Sequence, residues 1–354
     1  MKTKIRQQPF QANRFKTFFI GLFLCVLALT ILPGCSLKDK PSVVVYTSVD
    51  QVFSEPIFNR FESDTGIKVL AVYDIEASKT TGLVNRIIAE ANNPQADVFW
   101  NGEFVQTLLL KEKGLLAKYQ SPEAEKIPVR YRDKNGYWTA FSARARVLIV
   151  NTTLVSEEDY PSSIFDLTKP KWTSRGAAIA YPLFGTTATH AAALYALMGK
   201  EKAKNFFESI KSSGVSIVPG NSVVRDLVAS GKVAVGLTDT DDACGAIIKG
   251  APLKMLFPDQ RENEMGTLLL PGTVALIKNC RNPETGKKFI DYLLRKEAEK
   301  LLLDTGWAYY PFHSMKTTPK CFYDSRIKYM KVTPEMVYDH FNEAMNDLRK
   351  IFIQ

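Results

Sequence analysis

Two long strand-like stretches constrain the fold of this 354-residue chain more than any other feature. They run from Tyr137 to Asn151 and from Thr267 to Lys278, and each is long enough to pass from one folding unit into another. Between them the sequence predicts a separate α/β set, with strands over Ala177 to Tyr181, Ser216 to Val218 and Val233 to Leu237. Two crossings that join two α/β units predict an α/β clamshell with two lobes.

The segment before the first crossing alternates strand and helix. Val43 to Tyr46 is a short apolar run, and the helix that opens at Ser54 ends at Gly66. The strands Ile67 to Tyr73 and Asp97 to Trp100 follow, with a second apolar-faced helix between them. This β-α-β-α-β order predicts a mostly parallel sheet, whose ligand lies beyond the carboxyl ends of the strands.

The tail of the chain contains a well-marked helix. Asn282 caps it, Pro283 takes its first position, and the helix is predicted to continue to Gly306. We assign the lobes as follows: residues 42–143 and 272–320 to lobe 1, and residues 144–271 and 321–354 to lobe 2.

The first 35 residues predict export. They carry five basic residues and no acidic one, then an apolar run from Phe18 to Leu32 that closes on Gly34 and Cys35. A small residue directly before a cysteine is typical of a lipobox. We therefore predict a lipoprotein signal peptide over residues 1–35, lipidation of Cys35, and a tether over residues 36–41. The alternative is an uncleaved anchor with Cys35 as an ordinary cysteine. Both place the remainder outside the cytoplasm, in the periplasm or at the cell surface, attached to a membrane.

The basic character of the chain lies largely in that first segment. The whole sequence has 46 basic and 37 acidic residues, but the part after Cys35 has 41 and 37, a net charge of +4. It contains no basic stripe interleaved with aromatic residues, which excludes a nucleic-acid partner.

Cysteine usage is sparse. After Cys35 only Cys244, Cys280 and Cys321 remain, and their spacing does not predict a zinc site. We interpret the three as small buried thiols; pairing of two of them in an oxidising compartment is the alternative.

The sequence lacks catalytic motifs. His190, His313 and His340 are scattered, and neither a Gly-x-Ser-x-Gly elbow nor a His-Glu-x-x-His motif occurs. We therefore expect no enzyme, no catalytic residue and no cofactor, with an exported hydrolase as a distant alternative.

Six segments carry a family resemblance: Val43-Val44-Val45-Tyr46, Asp64-Thr65-Gly66-Ile67-Lys68-Val69, Ala96-Asp97-Val98-Phe99-Trp100, Arg144-Ala145-Arg146-Val147, Gly231-Lys232-Val233-Ala234 and Leu270-Pro271-Gly272-Thr273-Val274-Ala275-Leu276. In order and spacing they resemble type II periplasmic solute-binding proteins of bacterial ABC importers (extracellular solute-binding protein family 1), and within these the ferric-iron-binding group. The resemblance spans about Ser42 to Gly306. It implies a clamshell that binds ligand in the cleft between its lobes and delivers it to an ABC permease and its ATPase.

The resemblance makes iron(III) the first candidate for the transported ligand. The same group includes relatives that bind polyamines, thiamine, phosphonates and sugar phosphates, which remain alternatives. A sensory subunit that presents its ligand to a membrane kinase would share the fold. We expect a monomer.

The resemblance also implies a ligand set, from which this sequence departs. Iron binders of the group use a His after the first strand, a Glu after the third, and two adjacent tyrosines in the second lobe. Here the His position holds Asp50, Glu103 lies one residue beyond the Glu position, and Asp241-Asp242 replace the tyrosines. The predicted metal ligands are therefore Asp50, Glu103, Asp241 and Asp242.

Carboxylates dominate this predicted site. If Asp239 joins the four predicted ligands, the site offers hard oxygen atoms that suit a hard metal cation or an ammonium group. Carboxylates brought together repel each other, so we expect a cation among them. The alternative for Asp239 and Thr240 is a cap on the helix that begins near Ala243.

Further candidates for ligand binding lie in the loops, at the end of the strand Asp97 to Trp100 and on the first crossing strand: Ser48, Lys79, Thr80, Thr81, Trp100, Asn101, Arg144, Thr186 and Thr187. Thr80 and Thr81 are explained equally well as helix caps, and Trp100 as a core residue. Arg144 or Arg146 is expected to face the cleft, with a hinge salt bridge as the alternative.

Overall fold

The computed structural model describes residues 40–74, 81–315, 321 and 326–353. The predicted signal peptide with Cys35, and the candidates Lys79 and Thr80, lie outside these residues. Within the described ranges, none of the helices combines the length and apolar character that a membrane span needs.

The strands are β1 (Ser42–Thr47), β2 (Lys68–Tyr73), β3 (Val98–Asn101), β4 (Leu116–Ala117), β5 (Thr139–Asn151), β6 (Ala177–Ala180), β7 (Ser216–Val218), β8 (Val235–Asp239), β9 (Leu253–Leu256) and β10 (Leu269–Ile277). The α-helices are α1 (Gln51–Thr65), α2 (Thr81–Ala89), α3 (Val105–Glu112), α4 (Pro170–Thr173), α5 (Gly185–Met198), α6 (Lys200–Ser212), α7 (Asn221–Ala229), α8 (Thr240–Ile248), α9 (Pro283–Leu293), α10 (Lys296–Thr305) and α11 (Pro334–Phe352). Short 3₁₀ helices cover Pro122–Lys126, Val129–Tyr131, Glu157–Asp159 and Ile164–Thr168.

The strands pair in the order β2-β1-β3-β10-β5-β8-β6-β7. β1 is parallel to β2 and β3, and β6 is parallel to β7 and β8. The two parallel groups are joined by β10 and β5, which are antiparallel to each other and to their outer neighbours. Below, lobe 1 denotes the elements around β1, β2 and β3, and lobe 2 those around β6, β7 and β8.

The strand β5 passes from one lobe to the other. It is buried along its whole length, because neighbours cover both faces. Thr139 to Ala145 pairs with β10, whereas Arg146 to Val150 pairs with β8. The change of partner lies two residues beyond the boundary predicted from the sequence. Beside it, the register of β10 shifts between Pro271 and Gly272.

Two helix predictions need correction. α1 begins at Gln51, about one turn before Ser54, because the backbone N–H groups of Phe53 and Ser54 already donate to the Asp50 carbonyl. The Ser54 hydroxyl donates to the carbonyls of Val49 and Asp50 and does not cap the helix. The single tail helix is two helices, α9 and α10, since Arg295 adopts an extended conformation between them. That break lets apolar side chains of both helices reach the same core.

Trp100 belongs to the core of lobe 1. Its indole is fully buried, and the centroids of the Phe58 and Phe141 rings lie 5.5 and 5.7 Å away in edge-on contacts. Of the two roles predicted for Trp100, the structure shows the core residue and contradicts the contact with a ligand, because the indole is fully buried among aromatic side chains.

A disulfide connects α8 to the segment after α10. Cys244 and Cys321 are bonded, with their Cα atoms 5.3 Å apart, so the interpretation of all three cysteines as thiols is wrong. Cys280 is free and partly buried, and burial raises the pKa of its thiol to about 11. The bond closes a long loop, with a sequence separation of 77.

This loop length predicts a stabilising disulfide. Replacing both cysteines, Cys244→Ser with Cys321→Ser, should lower the free energy of unfolding by about 2–4 kcal/mol, because the unfolded chain regains loop entropy. Urea unfolding measures the change, and Cys280→Ser is the matched control. Equal unfolding midpoints for the double variant and Cys280→Ser would contradict the prediction.

Candidate functional site

A cavity lies where the loops after five strands converge. Ser48 follows β1, Gly102 and Glu103 follow β3, and Asp239 ends β8. The complete wall comprises Ser48, Gly102, Glu103, Arg144, Ala180, Tyr181, Phe184, Gly185, Thr186, Thr187, Pro219, Gly220, Asn221, Asp239 and Asp242. These loops all leave the carboxyl ends of parallel strands, which is the predicted location of a ligand.

Seven of the predicted ligand-binding residues line this cavity: Ser48, Glu103, Arg144, Thr186, Thr187, Asp239 and Asp242. The loop Pro219-Gly220-Asn221 also lines the cavity and was not predicted as part of the site. It follows β7, a strand that was predicted, so the rule that ligands lie beyond strand ends was sufficient to find it.

Arg144 connects the lobes at the cavity wall. Its Nη1 atom lies 3.0 Å from Asp241 Oδ2 and 3.3 Å from Asp239 Oδ2, and its Nη2 atom donates to the Gly102 carbonyl at 2.7 Å. Only 6% of the residue is exposed. One guanidinium therefore joins two carboxylates of lobe 2 to the loop after β3 in lobe 1.

Arg146 lies behind the wall and is fully buried. Its Nη1 atom donates to Asp239 Oδ1 at 2.6 Å, to Asn221 Oδ1 at 3.0 Å and to Thr186 Oγ1 at 3.3 Å. This side chain fixes three residues of the cavity wall. Arg146 was predicted only as the alternative to Arg144 for facing the cleft, whereas both arginines pair with the Asp239 carboxylate.

Asp239 is the centre of this network. Besides the two guanidinium groups, its Oδ2 atom accepts hydrogen bonds from Thr186 Oγ1 at 2.7 Å and Asn221 Nδ2 at 3.1 Å. Burial by itself would raise the pKa of the Asp239 carboxyl, but the charges of Arg146 and Arg144 and the Thr186 bond hold it below its ordinary value.

Glu103 closes the opposite wall. Its carboxylate accepts from the backbone N–H groups of Val105 and Gln106, from Asn101 Nδ2, and from Thr189 Oγ1 in lobe 2 at 2.9 Å. Burial raises the pKa of the Glu103 carboxyl, and these donors partly oppose the rise. The Glu103 carboxylate thus accepts hydrogen bonds from the backbone N–H groups at the start of α3 and contacts the other lobe.

The predicted metal ligands do not form one group. The carboxylates that lie within 4.8 Å of one another, among the described residues, are those of Asp239, Asp241 and Asp242. Asp50 is exposed before α1 and lines a separate groove, which it shares with Asp241 and Asp242. The four bonds to Glu103 occupy its two oxygens. The predicted set of four is corrected to an acidic group in lobe 2.

The cation expected among the carboxylates is supplied by the protein. Arg144 and Arg146 pair with Asp239, Arg144 also pairs with Asp241, and Arg225 Nη1 lies 3.3 Å from Asp242 Oδ1. Three guanidinium groups thus face three carboxylates. The acidic group therefore does not by itself require a bound cation.

The remaining candidates have mixed positions. Asn101 is buried behind the wall, where it accepts from Ser48 Oγ at 2.6 Å and so orients a residue of the cavity. Thr81 is the first residue of α2 and is not among the described residues that line the cavity.

Two helices begin at the cavity. Gly185, Thr186 and Thr187 form the first turn of α5, and Asn221 is the first residue of α7. Helix N-termini direct backbone N–H groups and a partial positive charge outward. Together with the Arg144 guanidinium and the Thr187 hydroxyl, which accepts from Arg146 Nη2 and keeps its own proton to donate, they place hydrogen-bond donors on one side of the cavity that suit an anionic group.

Residues 46–300 match the family of bacterial extracellular solute-binding proteins. The "Major ferric iron-binding protein" of Neisseria meningitidis is 25% identical over 270 residues, which are 73% of this chain and 78% of that protein. Two solved structures are also similar.

Iron-bound HitA from Pseudomonas aeruginosa superposes with a TM-score of 0.80 at 23% identity, covering 88% of this chain and 99% of that one. The periplasmic binding protein AfuA from Actinobacillus pleuropneumoniae, with fructose-6-phosphate bound, gives a TM-score of 0.78 at 25% identity, covering 89% and 99%. The likeness confirms the predicted fold, the two-lobed type II clamshell.

The network around Asp239 predicts a large effect of a small substitution. Asp239→Asn should lower the free energy of unfolding by about 3–5 kcal/mol at neutral pH, because two buried guanidinium groups lose their shared carboxylate. Thermal unfolding measures the loss. The control is Asp226→Asn on α7, whose carboxylate is exposed and pairs with Arg225.

The same pair of variants has a predicted pH dependence. The folded-state pKa of Asp239 is lowered, so its contribution is present above the unfolded-state pKa of about 4 and is lost as the pH falls through the folded-state pKa. The difference in melting temperature between wild type and Asp239→Asn should therefore shrink below about pH 4. A difference that grows on acidification would contradict this assignment.

Proposed function

The chain belongs to the bacterial extracellular solute-binding protein family, and we propose that it captures a small solute between its lobes and delivers it unchanged to an ABC permease and its ATPase. In this proposal it acts outside the cytoplasm as a monomer, tethered to a membrane through lipidated Cys35. The two lobes, joined by β5 and β10, supply the hinge that such a role needs.

We infer that the solute carries a phosphate or phosphonate group. One observation carries this inference: the Arg144 guanidinium and the first turns of α5 and α7 meet at one cavity wall. A tetrahedral oxyanion accepts hydrogen bonds from guanidinium, hydroxyl and backbone N–H groups at once. Asp239 and Asp242 of the wall and their neighbour Asp241 pair with Arg144, Arg146 and Arg225, which offsets their negative charge. The fructose-6-phosphate bound to AfuA supports the same class of ligand.

Iron(III), the first candidate from the sequence, is the second candidate here. It is favoured by the proximity of Asp239, Asp241 and Asp242, which offer oxygen ligands, and by relatives whose names specify ferric iron. Binding iron in this way would place the metal beside the Arg144 guanidinium, which already pairs with Asp241 and Asp239.

The phosphate proposal predicts a strong dependence on Arg144. Arg144→Gln should weaken binding of a phosphorylated or phosphonate solute by about 10- to 100-fold, because it removes a charge-assisted hydrogen bond. Isothermal titration calorimetry on residues 36–354 measures the affinity, after a thermal-shift screen of sugar phosphates, phosphonates and thiamine phosphate has identified the solute.

The control is Arg60→Gln on α1, whose side chain is 68% exposed. It should bind like wild type. Arg144→Lys, which keeps the charge but not the planar fork, should lie between the two. Full affinity in Arg144→Gln, with a normal melting temperature, would refute the phosphate site.

The iron proposal predicts a different pattern. Asp241→Ala and Asp242→Ala should each abolish a thermal shift induced by iron(III), since each removes a hard oxygen ligand. Glu55→Ala, an exposed acidic residue of α1, is the control. An iron-induced shift that persists in both variants would exclude this acidic group as the metal site.

A further inference from the structure

Glu299 collects five hydrogen bonds at a buried point beside the crossing strand. Its Oε1 atom accepts from Ser142 N at 3.2 Å, Ser142 Oγ at 3.0 Å and Phe312 N at 2.6 Å. Its Oε2 atom lies 2.9 Å from His313 N and 2.6 Å from His313 Nδ1. Glu299 is 1% exposed and lies on α10, in lobe 1. One carboxylate therefore joins α10, β5 and the segment 309–313.

Ser142 is the unusual residue of this group. Its φ angle is +29°, a conformation that residues other than glycine adopt only under constraint. It lies on β5 four residues before the strand changes its pairing partner from β10 to β8. Ser142 has no β10 partner where the register shifts between Pro271 and Gly272, and Glu299 accepts from both its backbone N–H and its hydroxyl.

The segment after α10 completes the hinge. The carbonyl of Ala143 accepts from Tyr309 N at 2.9 Å and Tyr310 N at 2.8 Å, and Ala143 N donates to the Tyr310 carbonyl at 2.8 Å. This segment therefore lies against β5 beside the residue with the strained angle. Its next residues, Phe312 and His313, are the ones held by Glu299.

We propose that Glu299 is a positioning residue that sets the balance between open and closed lobes. Lobe closure concentrates backbone rotation in a few residues of the connecting strands, and Ser142 is such a residue here. While Glu299 holds Ser142 and the 312–313 backbone, β5 keeps the angle that brings Arg144 to Gly102 and Glu103 to Thr189. Loss of the hydrogen bonds from Glu299 would allow the β5 backbone to rotate at Ser142 and would favour the open arrangement of the lobes. Only the consequence for ligand affinity rests on the proposed function.

The test measures lobe separation without ligand. Cysteines placed at Val52 on α1 and Ile248 on α8, which are 69% and 52% exposed and line the same groove, carry spin labels in residues 36–354 with Cys280→Ser, a chain that has neither Cys25 nor Cys35. The disulfide is left intact. Glu299→Gln preserves size but replaces one oxygen by an amide nitrogen, so it cannot accept all five bonds. The distance distribution from pulsed dipolar spectroscopy should become broader and shift to longer distances.

Asp97→Asn is the matched control. Asp97 is also a fully buried residue of lobe 1, and its carboxylate accepts from Val44 N, Asn282 N and Asn282 Nδ2, none of which belongs to β5 or to the segment 309–313. It should leave the distribution unchanged. An unchanged distribution in Glu299→Gln would overturn the proposal, as would an equal shift in both variants, which would mean that any lost buried carboxylate loosens the lobes.

Ser142→Ala is a second variant in case Glu299→Gln does not fold. It removes the hydroxyl bond to Glu299 and keeps the backbone bond, so the expected shift has the same direction and is smaller. No shift in Ser142→Ala would contradict the role of this contact. Because the readout needs no ligand, a failed solute screen leaves this test valid, and a failed distance test leaves the proposed function standing.

Discussion

The carboxylate of Asp239, held between two arginines of one strand, is the interaction on which the site depends. Arg144 and Arg146 lie on β5, and Asp239 ends β8, so the pairing of the two strands delivers charges from distant parts of the sequence to one buried point. Burying these charges costs solvation energy, which is recovered only when every partner is in place. The network therefore fixes the cavity wall at the position where the chain passes between lobes.

Much of the fold was accessible from the sequence because it rests on local periodicity. The order of strands and helices, the two long crossing strands and the position of the cavity all follow from apolar spacing and the rule for parallel strands. The helix break at Arg295 was missed, since α9 and α10 share one apolar pattern across it. The Cys244–Cys321 bond was missed because pairing depends on how the tail returns to α8, which no local pattern specifies.

The candidate site was predicted less completely than the fold. Loop positions identified Ser48, Thr186, Thr187 and Asp239 on the cavity wall, but the charge balance was misjudged. The sequence predicted that the carboxylates lie together, but it did not predict that arginines pair with them. Arg144 and Asp241, for example, are neighbours in space although they are 97 residues apart in the chain. Contacts between residues so far apart in the chain are set by the tertiary structure and do not follow from local sequence patterns. These contacts show that the acidic group is paired with arginines, and that the first turns of α5 and α7 lie at the same cavity.

The pairing of carboxylates with arginines distinguishes the two candidate ligands, the oxyanion and the metal ion, by their physical chemistry. An oxyanion would meet the first turns of α5 and α7 beside the Arg144 guanidinium, whereas a metal ion would share its carboxylates with guanidinium groups that already pair with them. The hinge around Glu299 and Ser142 would then determine how readily the lobes close over either ligand, through contacts that do not line the cavity.

The most direct test of the phosphate site is a competition read by native mass spectrometry. Residues 36–354 are mixed with equal concentrations of iron(III), a polyamine, thiamine, a phosphonate and a sugar phosphate. The bound mass should contain phosphorus, and the bound fraction should fall when Arg144→Gln is used, in line with a loss of affinity of about 10- to 100-fold. A complex that carries iron and no phosphorus compound would contradict it.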